Sequence, residues 1–167
     1  MDICLVRHAI AVERGTPGYE DDRKRDLTRE GRARMEEVAA GLARVFTPQA
    51  ILTSPLVRAV QTADVLREVY GLGKPLACDA LATGDHEGVL RVLDDLDAES
   101  IALVGHEPWM SELLSYLLTG EPGTVAVTMK KGGAALVGSR GAPRPGACWL
   151  EWLAPPGMLR RVGRGRD

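Results

Sequence analysis

The chain has 167 residues, of which 45% are hydrophobic and 26% are charged, and its formal net charge is -2. This length suits one domain with a substantial core, which we assign to residues 1–159, followed by a flexible tail at residues 160–167. The balanced charge argues against nucleic acid and membranes as partners, so any anion site must be local.

The cysteine pattern and the hydropathy indicate the compartment. Cys4, Cys78 and Cys148 are widely spaced and lie in apolar surroundings. This arrangement is typical of reduced core thiols rather than of disulfides or a zinc site. No stretch approaches the roughly 18 apolar residues that a membrane span requires. We therefore expect a soluble cytoplasmic protein.

Short apolar runs alternate with helical patterns along most of the chain. In chain order they predict a strand at 3–6, a helix over 28–46, a strand at 50–53, a helix over 55–70, a weak strand at 76–78, a short helix at 90–96, a strand at 101–104 and a helix over 108–119. Residues 125–153 are β-rich and are interrupted by a Gly/Pro loop at 138–146. The predicted fold class is α/β: a three-layer α/β/α sandwich whose central sheet is mostly parallel, with an antiparallel C-terminal addition.

Basic and imidazole side chains follow three of the predicted strands. Arg7 and His8 follow the first strand, Arg58 begins the helix after the second, and His106 follows the fourth. The carboxyl ends of parallel strands and the amino ends of the following helices meet at one edge of a sheet. A single histidine at a strand end often only packs or caps, but three such coincidences favour a shared pocket.

These side chains suit the chemistry of a phosphoryl group. The guanidinium forks of Arg7 and Arg58 match its oxygens, and the amino ends of two helices add positive dipoles. A neutral imidazole nitrogen can attack phosphorus in line. The sequence therefore predicts a phosphatase in which His8 becomes phosphorylated and water then releases phosphate. A phosphate or sulfate ion would fit the same pocket.

Three segments resemble the histidine phosphatase superfamily, which has the phosphoglycerate mutase-like fold. Residues 5–9 (LVRHA) resemble its R-H-G element, residues 54–63 (SPLVRAVQTA) its S-x-x-x-R-A-x-Q-T-A stretch, and residues 104–108 (VGHEP) its second-histidine element. Residues 25–31 (RDLTREG) are similar to the R-P-L-T-x-x-G segment of SixA-type phosphohistidine phosphatases. Ala9 and Asp26 stand where the family usually has Gly and Pro.

The resemblance implies roles for the strand-end residues. It implies that His8 is the nucleophile, that Arg7, Arg58 and His106 clamp the phosphoryl oxygens, and that neither a metal nor another cofactor takes part. The second-histidine element also places Glu107 among the predicted phosphate-binding residues.

A general acid for the leaving group is harder to assign. The loop after the third predicted strand offers Asp79, Asp85 and Glu87, from which we select Asp85. His86 in that loop is interpreted as a solvated side chain. A phosphoramidate can be protonated on its own nitrogen and depends less on an enzymic acid than an alkyl ester does. This difference favours phosphohistidine as the substrate.

The leading hypothesis is a phosphohistidine phosphatase that acts in signal transduction on a phosphorylated protein such as a histidine phosphotransfer domain. The nearest alternative is hydrolysis of a small phosphorylated metabolite. A metal-dependent hydrolase is less favoured because the chain has no HxH or HExxH spacing. A non-catalytic phosphate-binding module would need the arginines but could dispense with His8. The charged loop from Glu13 to Asp26 is interpreted as solvated, with recognition of a protein substrate as the alternative.

Overall fold

A computed structural model describes residues 1–165 of the chain. The strands are β1 (Asp2–Arg7), β2 (Ala50–Thr53), β3 (Leu76–Ala77), β4 (Ser100–Gly105), β5 (Ala134–Ser139) and β6 (Cys148–Ala154). The helices are α1 (Arg29–Leu42), α2 (Val57–Tyr70), α3 (Ala80–Thr83), α4 (His86–Asp94), α5 (Trp109–Thr119) and α6 (Pro156–Arg164), and a 3-10 turn covers Asp22–Lys24.

All six strands form one sheet in the order β3-β2-β4-β1-β5-β6. Neighbours among β3, β2, β4 and β1 are parallel, whereas β5 pairs with β1 and β6 pairs with β5 in antiparallel fashion. The helices cover both faces, so the predicted α/β/α sandwich with an antiparallel C-terminal addition is confirmed. Strands β1 and β4 are neighbours near the middle of the sheet, which brings their carboxyl ends together.

The alternation of side chains along β1 explains why its whole sequence is apolar. Cys4 and Val6 pack into the core beneath α1, α2 and α6, whereas Ile3 and Leu5 pack into the core beneath α4 and α5. All four side chains are completely buried. A strand covered on both faces is expected to be a continuous hydrophobic run, as the sequence shows.

The carboxyl-terminal helix α6 was not predicted. Residues 160–164 belong to it, so the prediction of a flexible tail from Arg160 is wrong for these residues, and the rest of the predicted tail includes residues outside the described range. Leu159 is buried against α1. A Cβ added to Gly41 of α1 would lie 1.9 Å from the Leu159 carbonyl oxygen, so the two helices cross in close contact at this glycine. Tertiary packing therefore orders a segment that is rich in glycine and arginine.

Two other predicted boundaries are also corrected. The region predicted as β-rich from residue 125 becomes regular only at Ala134, where β5 starts. The loop predicted between residues 79 and 87 contains the short helix α3.

Among the helices within residues 1–165, none combines the length and the apolar character needed to cross a membrane.

Candidate active site

The two strand-end histidines lie side by side because β1 and β4 are paired. Arg7 is in register with Gly105, and the His8 amide donates a hydrogen bond to the Gly105 carbonyl at 2.9 Å. The imidazole rings of His8 and His106 have centroids 6.5 Å apart and planes inclined at 79°. Both residues are only 5% exposed. The predicted juxtaposition of these histidines is therefore present.

Arg58 joins them from the first turn of α2. Thr62, one turn further along α2, links this helix to the end of β1, because its hydroxyl accepts a hydrogen bond from the Ala9 amide (3.0 Å) and donates one to the Arg58 carbonyl (2.7 Å). Arg58 is 5% exposed, and its charge acts on both His8 and His106. The spacing of Arg58 and Thr62 on one helical face thus holds Arg58 against the strand that carries His8.

Gln61 attaches the loop before α1 to the same helix. Its side-chain oxygen accepts a hydrogen bond from the Leu27 amide (2.7 Å), and its amide nitrogen donates to the Asp26 carboxylate (2.7 Å). The Tyr19 hydroxyl donates to the other oxygen of Asp26 at 3.0 Å. Asp26, which stands where SixA-type sequences usually have proline, therefore serves as an anchor for the loop.

Arg7 is held by the segment that precedes β5. Its Nη1 donates to the Met129 carbonyl at 2.6 Å, and its backbone amide donates to the Gly133 carbonyl at 3.0 Å. The Gly132 amide donates back to the Arg7 carbonyl at 3.0 Å. These bonds fix the end of β1 from the side opposite to β4.

Three nitrogen atoms of this cluster are buried without a hydrogen-bond partner in the described part of the chain: Nε of Arg7, Nε of Arg58 and Nδ1 of His106. Leaving a buried donor unpaired costs about 1–3 kcal/mol, and more for a charged group. Two arginines and a histidine with unsatisfied nitrogens are suited to the oxygens of a tetrahedral oxyanion. The geometry can therefore bind a phosphoryl group.

A hydrogen bond to the backbone fixes the tautomer of His8. Its Nδ1 lies 2.7 Å from the Ala9 carbonyl oxygen, which can only accept a hydrogen bond. Nδ1 must therefore carry the proton, and in the neutral ring Nε2 keeps its lone pair. Burial first, and then the charges of Arg58, Arg7 and His106, lower the pKa of His8 to about 3 despite the opposing effect of the bond to Ala9. The ring is neutral at physiological pH, as a nucleophile must be.

The charge state of His8 gives a direct test by NMR. We expect the His8 ring to stay neutral at pH 5 with its proton on Nδ1, because its pKa is lowered to about 3. An ordinary imidazole with a pKa near 6.5 would be mostly protonated at pH 5. Long-range ¹H–¹⁵N correlation spectra between pH 8 and pH 4 would report both properties, and the three histidines of the chain make the assignment simple. A titration midpoint near 6.5, or a proton on Nε2, would contradict the expectation.

The pKa of His106 is also shifted by burial and by neighbouring charges. Burial and the charge of Arg58 lower its pKa, while the charge of Asp22 and the backbone of Ala82 and Leu81 act in the opposite direction. The short helix α3 therefore lies beside His106 and forms one wall of the site. Asp22 was not among the predicted site residues.

Asp22 enters the site from the loop that follows β1. Its backbone carbonyl and its carboxylate both accept hydrogen bonds from Arg58. The sequence indicates that the loop from Glu13 to Asp26 closely follows His8, but it does not distinguish a site residue within this loop. The signal that could have found Asp22 is its spacing of three residues from Arg25, with which it forms an ion pair.

Asp85, the predicted general acid, caps a helix. One oxygen of its carboxylate caps α4 by accepting a hydrogen bond from the Gly88 amide at 2.8 Å, and the other lies 3.4 Å from Nη2 of Arg91. The side chain is half-exposed. A short acidic residue before a helix is a favoured cap, which explains its position. The assignment of Asp85 as the general acid stays a prediction.

Glu107, the other acidic residue predicted at the site, binds Ser111 and Met129. Its carboxylate accepts hydrogen bonds from the Ser111 hydroxyl (2.6 Å) and from the amides of Ser111 and Met129 (both 3.3 Å). Glu107 thus fixes the Met129 segment, whose carbonyl accepts from Arg7. Its contact with phosphate stays a prediction.

His86 is not the solvated side chain that the sequence suggested. It is 9% exposed, its Nε2 lies 3.6 Å from the Glu112 carboxylate, and its ring centroid is 5.7 Å from that of Tyr116. It therefore packs against α5. Within residues 1–165, no group of three or more His, Cys, Asp or Glu residues is arranged to hold a metal ion.

Solved structures with the same architecture define the class of protein. The structure of the protein histidine phosphatase SixA complexed with tungstate is 20% identical, with a TM-score of 0.75, and the match covers 95% of this chain and 99% of that one. A protein from Agrobacterium tumefaciens that bears the name phosphohistidine phosphatase SixA is 25% identical, with a TM-score of 0.74 and coverage of 93% and 98%. The fold is thus that of the phosphoglycerate mutase-like α/β proteins.

Sequence comparison identifies the family. The family model described as Histidine phosphatase superfamily (branch 1) matches residues 3–83, which contain both Arg7-His8 and Arg58. An uncharacterised protein of Picosynechococcus sp. is 34% identical over 150 residues, which cover 86% of this chain and 88% of the relative. The chain belongs to the histidine phosphatase superfamily, so the resemblance found in its motifs is confirmed.

Proposed function

We propose that this chain is a metal-independent phosphatase that hydrolyses phosphohistidine in a protein, such as a histidine phosphotransfer domain, through a phosphorylated His8. The observation that carries this proposal is the neutral His8 ring with its proton on Nδ1, held among Arg7, Arg58 and His106. The likeness to proteins that bear the SixA name supports the choice of substrate class. Such an activity belongs to phosphorelay signalling in the cytoplasm.

The first step transfers the phosphoryl group from the substrate to His8. Nε2 of His8 attacks phosphorus as the bond between phosphorus and the substrate imidazole breaks, and Arg7, Arg58 and His106 compensate the charge on the equatorial oxygens. Because the Ala9 carbonyl accepts from Nδ1, it stabilises the positive charge that develops on the His8 ring. The hydrogen bond is present before the reaction, so the ring needs no reorientation.

The second step is attack of water on the phosphorylated His8, which regenerates the neutral ring and releases phosphate. The leaving group in the first step is an imidazole, whose nitrogen can take a proton from solvent. The carboxylate that acts on His106 is that of Asp22, whose pKa of about 2 makes it a poor proton donor at neutral pH. A site of this kind favours a phosphoramidate over an alkyl phosphate, whose alkoxide leaving group needs an acid.

Phosphate release from several substrates would test the proposal. We expect the purified protein to have a higher kcat/KM for a phosphohistidine-containing phosphotransfer domain than for phosphoserine or a sugar phosphate, and to keep its rate in excess EDTA. Rapid quenching followed by mass spectrometry should find one phosphoryl group on His8. Loss of activity in EDTA would contradict the metal-independent mechanism. A preference for a sugar phosphate or another small monoester would favour the alternative of a metabolite phosphatase.

A further inference from the structure

The guanidinium group of Arg58 is held on one side by a single residue. Its Nη1 donates to the Asp22 carbonyl at 2.8 Å, and its Nη2 donates to the Asp22 Oδ2 at 3.2 Å. The Nε atom is buried and has no hydrogen-bond partner among residues 1–165. Asp22 therefore accepts one hydrogen bond from each outer nitrogen of Arg58, while the Nε–H remains available to another acceptor.

Asp22 is itself fixed by two further arginines. Its Oδ1 accepts from Nε of Arg25 at 2.9 Å and from Nε of Arg14 at 3.0 Å. Arg25 is buried and also donates to the Val12 carbonyl at 2.6 Å, which ties the group to the chain just after β1. Each oxygen of the Asp22 carboxylate thus accepts from an arginine, and Arg25 links Asp22 to Val12 at the start of the loop.

The charges of this group favour anion binding rather than opposing it. Three guanidinium groups surround one carboxylate, so the cluster as a whole remains positive. Burial alone would raise the pKa of the Asp22 carboxyl, but the hydrogen bonds from Arg14 and Arg25 and the charges of Arg58 and Arg25 lower it to about 2. The cluster keeps this charge over the whole range in which a phosphatase is assayed.

We propose that Asp22 is the positioning residue for Arg58: by binding Nη1 and Nη2 it orients the guanidinium plane so that Nε–H points at the phosphoryl oxygens. The proposal rests on the proposed function, because it assigns Arg58 to the phosphoryl group. A free arginine side chain samples many rotamers, and fixing it in advance reduces the entropy that binding must overcome. Asp22 lies in the loop whose role the sequence left open, so the order of this loop and the affinity of the site are coupled.

Replacement of Asp22 by asparagine tests the proposal against a matched control. Asp21 is the neighbouring residue, loses the same charge on substitution and accepts hydrogen bonds from Arg23 rather than from Arg58. We expect Asp22→Asn to raise the Kd for inorganic phosphate about tenfold, the effect of losing about 1.4 kcal/mol, while Asp21→Asn stays within about twofold of the wild type. Isothermal titration calorimetry would give both values.

A second variant and the pH dependence separate positioning from a loss of structure. Arg14 is largely exposed and holds Asp22 from outside, so Arg14→Gln should weaken phosphate binding in the same direction but less than Asp22→Asn. Asp22→Glu should restore part of the affinity, and the ratio of the Asp22→Asn and wild-type Kd values should be constant from pH 5.5 to pH 8.5.

The possible results have distinct meanings. Tighter phosphate binding by Asp22→Asn would show that Asp22 competes with the phosphoryl group for Arg58, and equal values for Asp22→Asn and Asp21→Asn would show that it has no specific role. Either result would overturn the inference while leaving the proposed function intact. A wild-type protein that neither binds phosphate nor hydrolyses phosphohistidine would refute the proposed function and the inference together.

Discussion

Replacing His8 with alanine is expected to lower kcat about 1,000-fold or more, because the substitution removes the nucleophile and no covalent intermediate can form. Nε2 of His8 is the nitrogen with the available lone pair, since Nδ1 donates to the Ala9 carbonyl. Phosphate release from phosphohistidine under saturating substrate would measure the loss. Mass spectrometry of the quenched reaction should find no phosphorylated protein.

A matched control for this variant is His86→Ala. His86 is also buried, and it pairs with Glu112 and packs on Tyr116 away from the site. We expect His86→Ala to lower the free energy of unfolding, as deletion of a packed side chain does, with little change in kcat. Circular dichroism and urea unfolding should find His8→Ala folded. A folded His8→Ala protein with a normal rate would refute the assignment of the nucleophile.

The main features of the fold could be predicted because the strands are buried on both faces. Runs such as residues 3–6 and 101–104 are continuously apolar, and each ends at a charged residue or a glycine. The position of His8 and His106 beside each other follows from the parallel pairing of β1 and β4. The sequence alone does not show that these two strands pair. The shared site could still be predicted, because ligands gather at the carboxyl ends of parallel strands.

The roles of the acidic residues are the hardest to predict from the sequence. Glu107 follows the predicted site residue His106 and Asp85 lies in the loop after β3, and both carboxylates bind backbone amides. Asp22 lies in a loop with several acids, and its contacts with Arg58, Arg25 and Arg14 distinguish it from Asp21, which binds Arg23. Sequence proximity does not determine which way a carboxylate points, because loop geometry depends on long-range contacts such as that between Gln61 and Leu27.

The helix α6 could not be predicted from the sequence for a different reason. Its sequence contains three glycines and three arginines between residues 157 and 165, a composition that gives little intrinsic helix stability. Leu159 is the buried residue that attaches it to α1. The helix is thus stabilised by packing on α1, which local sequence reasoning does not include.

Arg58→Ala is expected to weaken the binding of inorganic phosphate by about 1.5–3 kcal/mol, the contribution of a hydrogen bond to a charged group, which corresponds to roughly 10-fold to 150-fold in Kd. The effect should lie toward the upper end of this range, because the substitution also leaves the Asp22 carboxylate near the site with one arginine fewer. The loss in kcat/KM should be at least as large, since charge on the phosphoryl oxygens is compensated in the transition state. Calorimetry and initial rates would provide the two quantities.

Arg67→Ala is the control for this variant, because Arg67 lies on the same helix, pairs with Asp64 and is partly exposed. It should change phosphate affinity by less than about twofold.

A double-mutant cycle tests whether Asp22 and Arg58 act together. If Asp22 acts through Arg58, adding Asp22→Asn to Arg58→Ala should not weaken phosphate binding further. Additive losses would mean that the two residues act independently, and an unchanged Kd in Arg58→Ala would remove Arg58 from the phosphoryl site. Non-additivity would instead identify the Asp22–Arg58 pair as one functional unit.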